Sequence, residues 1–181
     1  TVLSPLTQAP VTTHYLPGQT YGAVFGAIAS AMEECRAECV SLYLSPASDV
    51  QAIFGFEGSA ASDSVYAGWL GMCWLGLKAL EHYDADAGSW GAVHGRARYA
   101  ILRLLLEEAS FKNDGETESN GKLLRLEWSE EADGPNVTLR MDRSLITSVG
   151  VPAIARLLRM IHVARCTADK SLTAEFERLS S

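Results

Sequence analysis

The sequence predicts a mainly α protein with a small antiparallel β-hairpin, and three observations carry that prediction. Apolar residues recur at spacings of three and four through most of the 181 residues. The period drops to two in one place, where "KLLRLEW" (122–128) and "NVTLRMDR" (136–143) flank an Asp133-Gly134 turn signal. Hydrophobic residues make up 48% of the chain and charged residues 20%, which supplies a core and argues against disorder. No internal repeat interrupts this organisation.

In chain order, residues 1–17 are rich in Pro and Thr and read as an extended lead-in ending in "LPGQT". From Thr20 to about Leu44, Val24, Phe25, Ile28, Met32, Cys35, Cys39, Leu42 and Tyr43 mark a helix with one apolar stripe. "SPASDVQAIFGFEGSAASDS" (45–64) reads as loop, with a short helix near Val50 to Phe54 broken by Gly55 and Gly58. Val65 to His82 is apolar on nearly every side and is expected as a buried helix, with Gly68, Gly71 and Gly76 allowing close approach.

Ser89 to Ser110 is predicted as a further helix, with Val93, Tyr99, Ile101, Leu102, Leu104 and Leu105 on its apolar face. The segment 112–142 is expected to be a polar loop, "KNDGETESNG", followed by the hairpin. Ser144 to Val149 makes a turn or short helix. Pro152 then sits in the first turn of a long helix running to about Arg165.

Charge and length narrow the function classes. A net charge of −7 with no Lys/Arg run argues against nucleic acid as the main partner, and none is expected. The longest nearly uncharged apolar stretch, Val65 to Leu77, falls short of the roughly 20 residues that span a bilayer, so no membrane partner is expected. The amino end has no basic segment followed by an apolar one, as a secretory leader would. Without an initiator Met the chain reads as a piece of a longer protein. Its four cysteines, Cys35, Cys39, Cys73 and Cys166, form no CxxC pair and are expected as free thiols in the cytoplasm.

The stretch "MEECRAEC" (32–39) raises the functional question. With Glu33 at zero and a step of roughly 100° per residue, the apolar stripe occupies roughly 180° to 280° of the helix. Glu33, Glu34 and Glu38 lie in the opposite arc among Gly26, Ala27, Ser30, Ala37 and Ser41. Small neighbours allow a second backbone to approach, so both faces are expected to be covered. Arg36 points off to one side. Carboxylates on a covered face need a cation or hydrogen-bond donors. A solvated face satisfied by surface donors and a metal or acid–base site both fit this wheel.

"EECRAE" (33–38) resembles the second zinc motif of the dipeptidyl peptidase III family of zinc metallopeptidases. "PGQTYGAVFGAIAS" (17–30), "IFGFEG" (53–58), "HGRARYAILRLLLE" (94–107) and "RMDRSLITSVGVPAIARLLR" (140–159) resemble the same family in the same order. The likeness runs from about Tyr15 to Lys170. It implies that residues 1–181 form a helical segment of the zinc-binding catalytic, or upper, lobe of a larger two-lobed protein.

The resemblance also implies roles. Glu34 is expected to be a ligand of Zn2+, with Glu33 and Glu38 accepting the free N–H groups of two zinc histidines. His94 is expected to stabilise the oxyanion of the tetrahedral intermediate, and Arg98 to bind the peptide. Tyr21 and Gly22 stand where several relatives have Trp-Asp; the aromatic is kept and the carboxylate is lost. A preference for cationic peptides is therefore not implied.

The family's first zinc motif, His-Glu-x-x-Gly-His, is absent: none of His14, His82, His94 and His162 stands in such a pattern. The remainder of the parent chain is expected to supply two His ligands and the catalytic Glu. The implied function is release of dipeptides from the amino ends of short peptides, with the isolated 181-residue piece inactive. Two alternatives remain: a family member acting on a non-peptide small molecule, and a non-catalytic helical binding module.

Overall fold

The computed structural model describes residues 2–111, 117–132 and 134–181. The lead-in folds back on itself at its start, where Leu3 pairs with Pro10 and the Ser4 N–H donates to Ala9 O at 2.8 Å. The Tyr15 hydroxyl donates to Arg165 O at 2.6 Å and fastens the segment to the last long helix.

The helix expected over Thr20 to Leu44 is split in two. Helix α1 (Tyr21–Phe25) starts at Thr20, whose side chain accepts the Ala23 N–H, and stops at Gly26 with φ 59° and ψ −133°. Glycine enters that region without the Cβ clash other residues meet. A 3-10 turn then leads into α2 (Ala29–Leu44). The apolar spacing continues across the break, which is why the pattern reads as one helix.

After α3 (Ser48–Ile53), α4 spans Gly58–Lys78 and runs on into a 3-10 turn, Ala79–His82. It begins at Gly58 rather than Val65, because exposed Ser and Ala residues extend a helix that packing has already nucleated. The expectation of burial on every side is corrected. Trp69, Cys73 and Gly76 are buried, whereas Trp74 is 53% exposed and Leu75 40%. Gly76 is the close-approach glycine of this helix, since a Cβ there would lie 2.6 Å from Arg98 O. Gly68 and Gly71 face open space.

A two-residue antiparallel pair, β1 (Tyr83–Asp84) with β2 (Ser89–Trp90), precedes α5 (Val93–Glu107). The start predicted at Ser89 therefore belongs to a strand. Strand β3 (Ala109–Phe111) pairs antiparallel with β4 (Thr117–Lys122), so 117–121 is strand where a loop was expected. The rest of that expected loop, 112–116, lies outside the described residues, as does Asp133 of the turn signal.

The predicted hairpin is present as β5 (Leu124–Glu131) and β6 (Gly134–Met141), with Leu124 opposite Met141 and Glu131 opposite Gly134. It is anchored at its base, where Leu123 and Leu124 are buried.

Two short turns over Arg143–Gly150 lead into α6 (Val151–Thr167), which ends at a left-handed Ala168. This continuous helical stretch, Arg143–Thr167, is long and apolar enough to cross a membrane by length and composition. Its Ile154, Leu157, Ile161 and Ala164 are instead in the core, clustered with residues of α2 and α5. The sequence assigned nothing after α6, yet α7 (Ala174–Leu179) buries Phe176 and Leu179 completely. Trp90 Nε1 donates to Ser180 O at 2.8 Å and ties that end to β2. Four helices, α2, α4, α5 and α6, surround the core, and α5 contacts each of the other three.

Candidate active site

Helix α5 positions the site. Gly76 lets α4 approach its backbone, while Ala97, Ala100, Ile101 and Leu104 bury its inner face against the core. Its exposed first turns then lie beside the glutamates of α2. His94 Nδ1 is 3.3 Å from Glu34 Oε2, and Arg98 Nε donates to Glu38 Oε1 at 2.7 Å. Each pair advances four residues on both helices, so one face of α5 reads one face of α2 as two successive rungs.

Glu33 lies on the other side of the α2 face. Arg36 turns back one helical turn and donates to it at 2.6 Å, correcting the expectation that Arg36 points away. A long guanidinium at i+3 reaches its own helix's carboxylate readily. Arg165 of α6 adds a contact from Nε at 3.0 Å. The Arg36 hydrogen bond holds the Glu33 carboxyl below its ordinary range, against the opposing effect of burial.

Tyr21 belongs to this second cluster. Its hydroxyl donates to Ala29 O at 3.0 Å, and the Arg165 guanidinium stands 5.7 Å from its ring centre. Burial, then the charge of Glu33, pushes its pKa up to about 12. Gly22 is exposed, with nothing within 4 Å of where a Cβ would be.

The structure thus brings Glu34 to His94 and Glu38 to Arg98, gathers Tyr21 with Glu33, and leaves Gly22 apart from both. Each glutamate has a partner inside the chain. The small residues Gly26, Ala27, Ser30, Ala37 and Ser41 are exposed here, so the expected cover over that face is not supplied by the described residues. Arg165 was missed as a functional residue because no local spacing connects it to Glu33. Lys78 and His82, to which the sequence assigned no role, share a cavity wall with His94 and Arg98.

The fit to zinc is that of a single ligand. Glu34 keeps 35% of its side chain exposed, with His94 beside one of its oxygens. Among the described residues no three His, Cys, Asp or Glu side chains group closely enough to hold a metal. One carboxylate of this kind suits a hard or borderline cation but does not retain it without further ligands.

The comparisons with known proteins agree on one family. The sequence profile of peptidase family M49 matches residues 1–181. The chain is 43% identical over 170 residues to dipeptidyl peptidase 3 of Homo sapiens and 42% identical over 170 residues to that of Mus musculus. It is 35% identical over 176 residues to dipeptidyl peptidase 3 of Dictyostelium discoideum. Each match covers 93% of this chain, but only 22% of the two mammalian proteins and 23% of the Dictyostelium one. The chain therefore spans about a fifth of the length of these relatives, and it belongs to peptidase family M49.

Proposed function

We propose that the parent protein is a zinc-dependent peptidase that releases dipeptides from the amino ends of short peptides, and that this chain supplies one wall of its active site. The observation that supports it best is the pair of rungs, Glu34–His94 and Glu38–Arg98, in a chain of this family.

In this reading Glu34 turns one carboxylate oxygen to His94 and is left with the other for the metal. When bound, zinc supplies Lewis-acid polarisation of the scissile carbonyl. The His94 ring is held by Nδ1–H against Glu34, so Nε2 faces the oxyanion and donates to it when the ring is the imidazolium, with a proton on both nitrogens. Glu33 and Glu38, fixed by Arg36, Arg165 and Arg98, accept imidazole N–H groups brought by the remainder of the parent chain. Arg98 is also the peptide-binding cation, set by Glu38 in one orientation, with Tyr21 and Gly22 further along the peptide. The free thiols of Cys35 and Cys39, hydrogen-bonded to each other at 4.0 Å, fit a reducing cytoplasm.

The test is the purified parent protein. It should carry about one zinc per molecule and release dipeptides detectable by mass spectrometry. Glu34→Ala should lower both zinc occupancy and turnover, turnover by about a hundredfold or more. Full activity in a zinc-free Glu34→Ala protein would overturn the proposal.

A further inference from the structure

We propose that Lys78 and His82 form a carboxylate-binding subsite beside His94, so that the parent protein favours peptides with a carboxylate close to the bond it cuts. The inference rests on the peptidase reading above and names the substrate class within it.

A cavity of about 220 Å³ opens where α4 ends and α5 begins. Lys78, His82, His94 and Arg98 contribute to its wall above Leu75 and Ala79, and no carboxylate lines it. The chain as a whole carries −7, so a cluster of cationic and imidazole side chains without an acid among them is not what composition alone would place there.

Two of the four are already engaged, His94 with Glu34 and Arg98 with Glu38. The exposed side chains of Lys78 and His82 have no hydrogen-bond or ion-pair partner among the described residues. An ammonium and an imidazole facing one small cavity are a point charge and a directional donor, the combination that holds a carboxylate. Because His94 lines the same cavity, its occupant sits next to the imidazole assigned to the oxyanion. Lys78 also suits the last turn of α4, where a cation complements the helix dipole. That structural role does not distinguish acidic from neutral peptides, so a substrate comparison separates the two.

The carboxylate has two sources: an acidic side chain flanking the bond cut, or the free carboxyl end of a very short peptide. The experiment measures kcat/KM of the purified parent enzyme on matched peptide pairs, Glu against Gln at either flanking residue. Each pair is made with a free and with an amidated carboxyl end. At low ionic strength the carboxylate-bearing member should be favoured by about two- to fivefold. That advantage should shrink at about 0.5 M salt, vanish in Lys78→Met and reverse in Lys78→Glu.

A Glu-over-Gln preference that survives amidation identifies the side chain as the ligand; a preference for the free over the amidated end, equal in the Glu and Gln peptides, identifies the carboxyl end. Peptide hydrolysis with no preference, or a preference unchanged in both Lys78→Met and His82→Gln, would overturn the subsite alone. Absence of any peptide hydrolysis would overturn the peptidase reading and the subsite with it.

Discussion

His94 Nδ1 stands 3.3 Å from Glu34 Oε2, joining the first turn of α5 to the middle of α2. One turn further along both helices Arg98 meets Glu38, from a residue 60 positions away in the chain. The carboxylates of α2 are therefore held by α5 and α6 as well as by their own helix, and they present a preset surface to whatever lies opposite.

The first prediction concerns the metal. Glu34 is one carboxylate, and the described residues offer no cluster of three ligands around it. The isolated chain should bind zinc no more tightly than the micromolar range in competition with a chromophoric chelator. Nanomolar affinity would mean that this chain holds a complete site.

A second prediction concerns the lower rung. The Glu38 side chain is only 16% exposed, so Arg98→Met leaves a largely buried carboxylate without its donor. Urea denaturation should show a loss of about 1–3 kcal/mol. The double variant Glu38→Gln with Arg98→Met should lose less than the sum of the two single changes, since the pair disappears together.

Gly76→Ala tests the packing that places α5. The added methyl would lie 2.6 Å from Arg98 O and 2.9 Å from Leu102 Cβ, and backbone cannot yield as a flexible side chain does. A loss of about 1–3 kcal/mol is expected. Displacement of the Arg98 backbone should also weaken its bond to Glu38, seen as a shift of the Arg98 Nε–H resonance. An unchanged stability would show that α4 and α5 separate freely.

The carboxyl end should be structural. Phe176 is fully buried beneath the Arg96 guanidinium, which stands 5.6 Å from its ring centre. Phe176→Ala should cost about 3–5 kcal/mol by urea or thermal denaturation. A cost below about 1 kcal/mol would mean that α7 is not part of the cooperative core.

Acid stability follows from the Arg178 fork. Its guanidinium donates to Glu107 at 3.0 and 2.8 Å and to Glu175 at 2.8 Å, tying α7 to α5. These bonds hold both carboxyls below the ordinary glutamate value of 4.5, against the opposing push of burial. A pKa depressed in the folded state means that the unfolded chain takes up protons first as pH falls. The contribution is therefore complete above about pH 4.5 and lost progressively below it. Arg178→Gln should flatten the dependence of unfolding free energy on pH in that acid window and leave it unchanged near neutrality. An identical acid limb in the variant would contradict the pairing.

The sequence by itself determined the face. The periodicity of α2 put Glu33, Glu34 and Glu38 opposite Met32, Cys35 and Cys39, and those apolar residues are buried. The change of period to two placed β5 and β6, and the resemblance around "EECRAE" led to the family. Such features are local: a helix of known pitch or an alternating strand fixes which side chains share a side, whatever packs against them.

Tertiary structure decided the partners. Neither His94 and Arg98 beside two of the glutamates, nor Arg165 beside the third, is written in the spacing of α2. Those contacts depend on how α5 and α6 dock, which follows from glycines such as Gly76 and from the burial of α7. The break at Gly26 likewise needed a backbone conformation that an apolar period running through it conceals. The exposure of Ala27, Ser30, Ala37 and Ser41 was beyond sequence reading too, because whether a small-residue face is covered depends on what stands opposite it in space. A side chain's own helix sets its direction; its ionic partner is set by chain tens of residues away, through packing that no local period encodes.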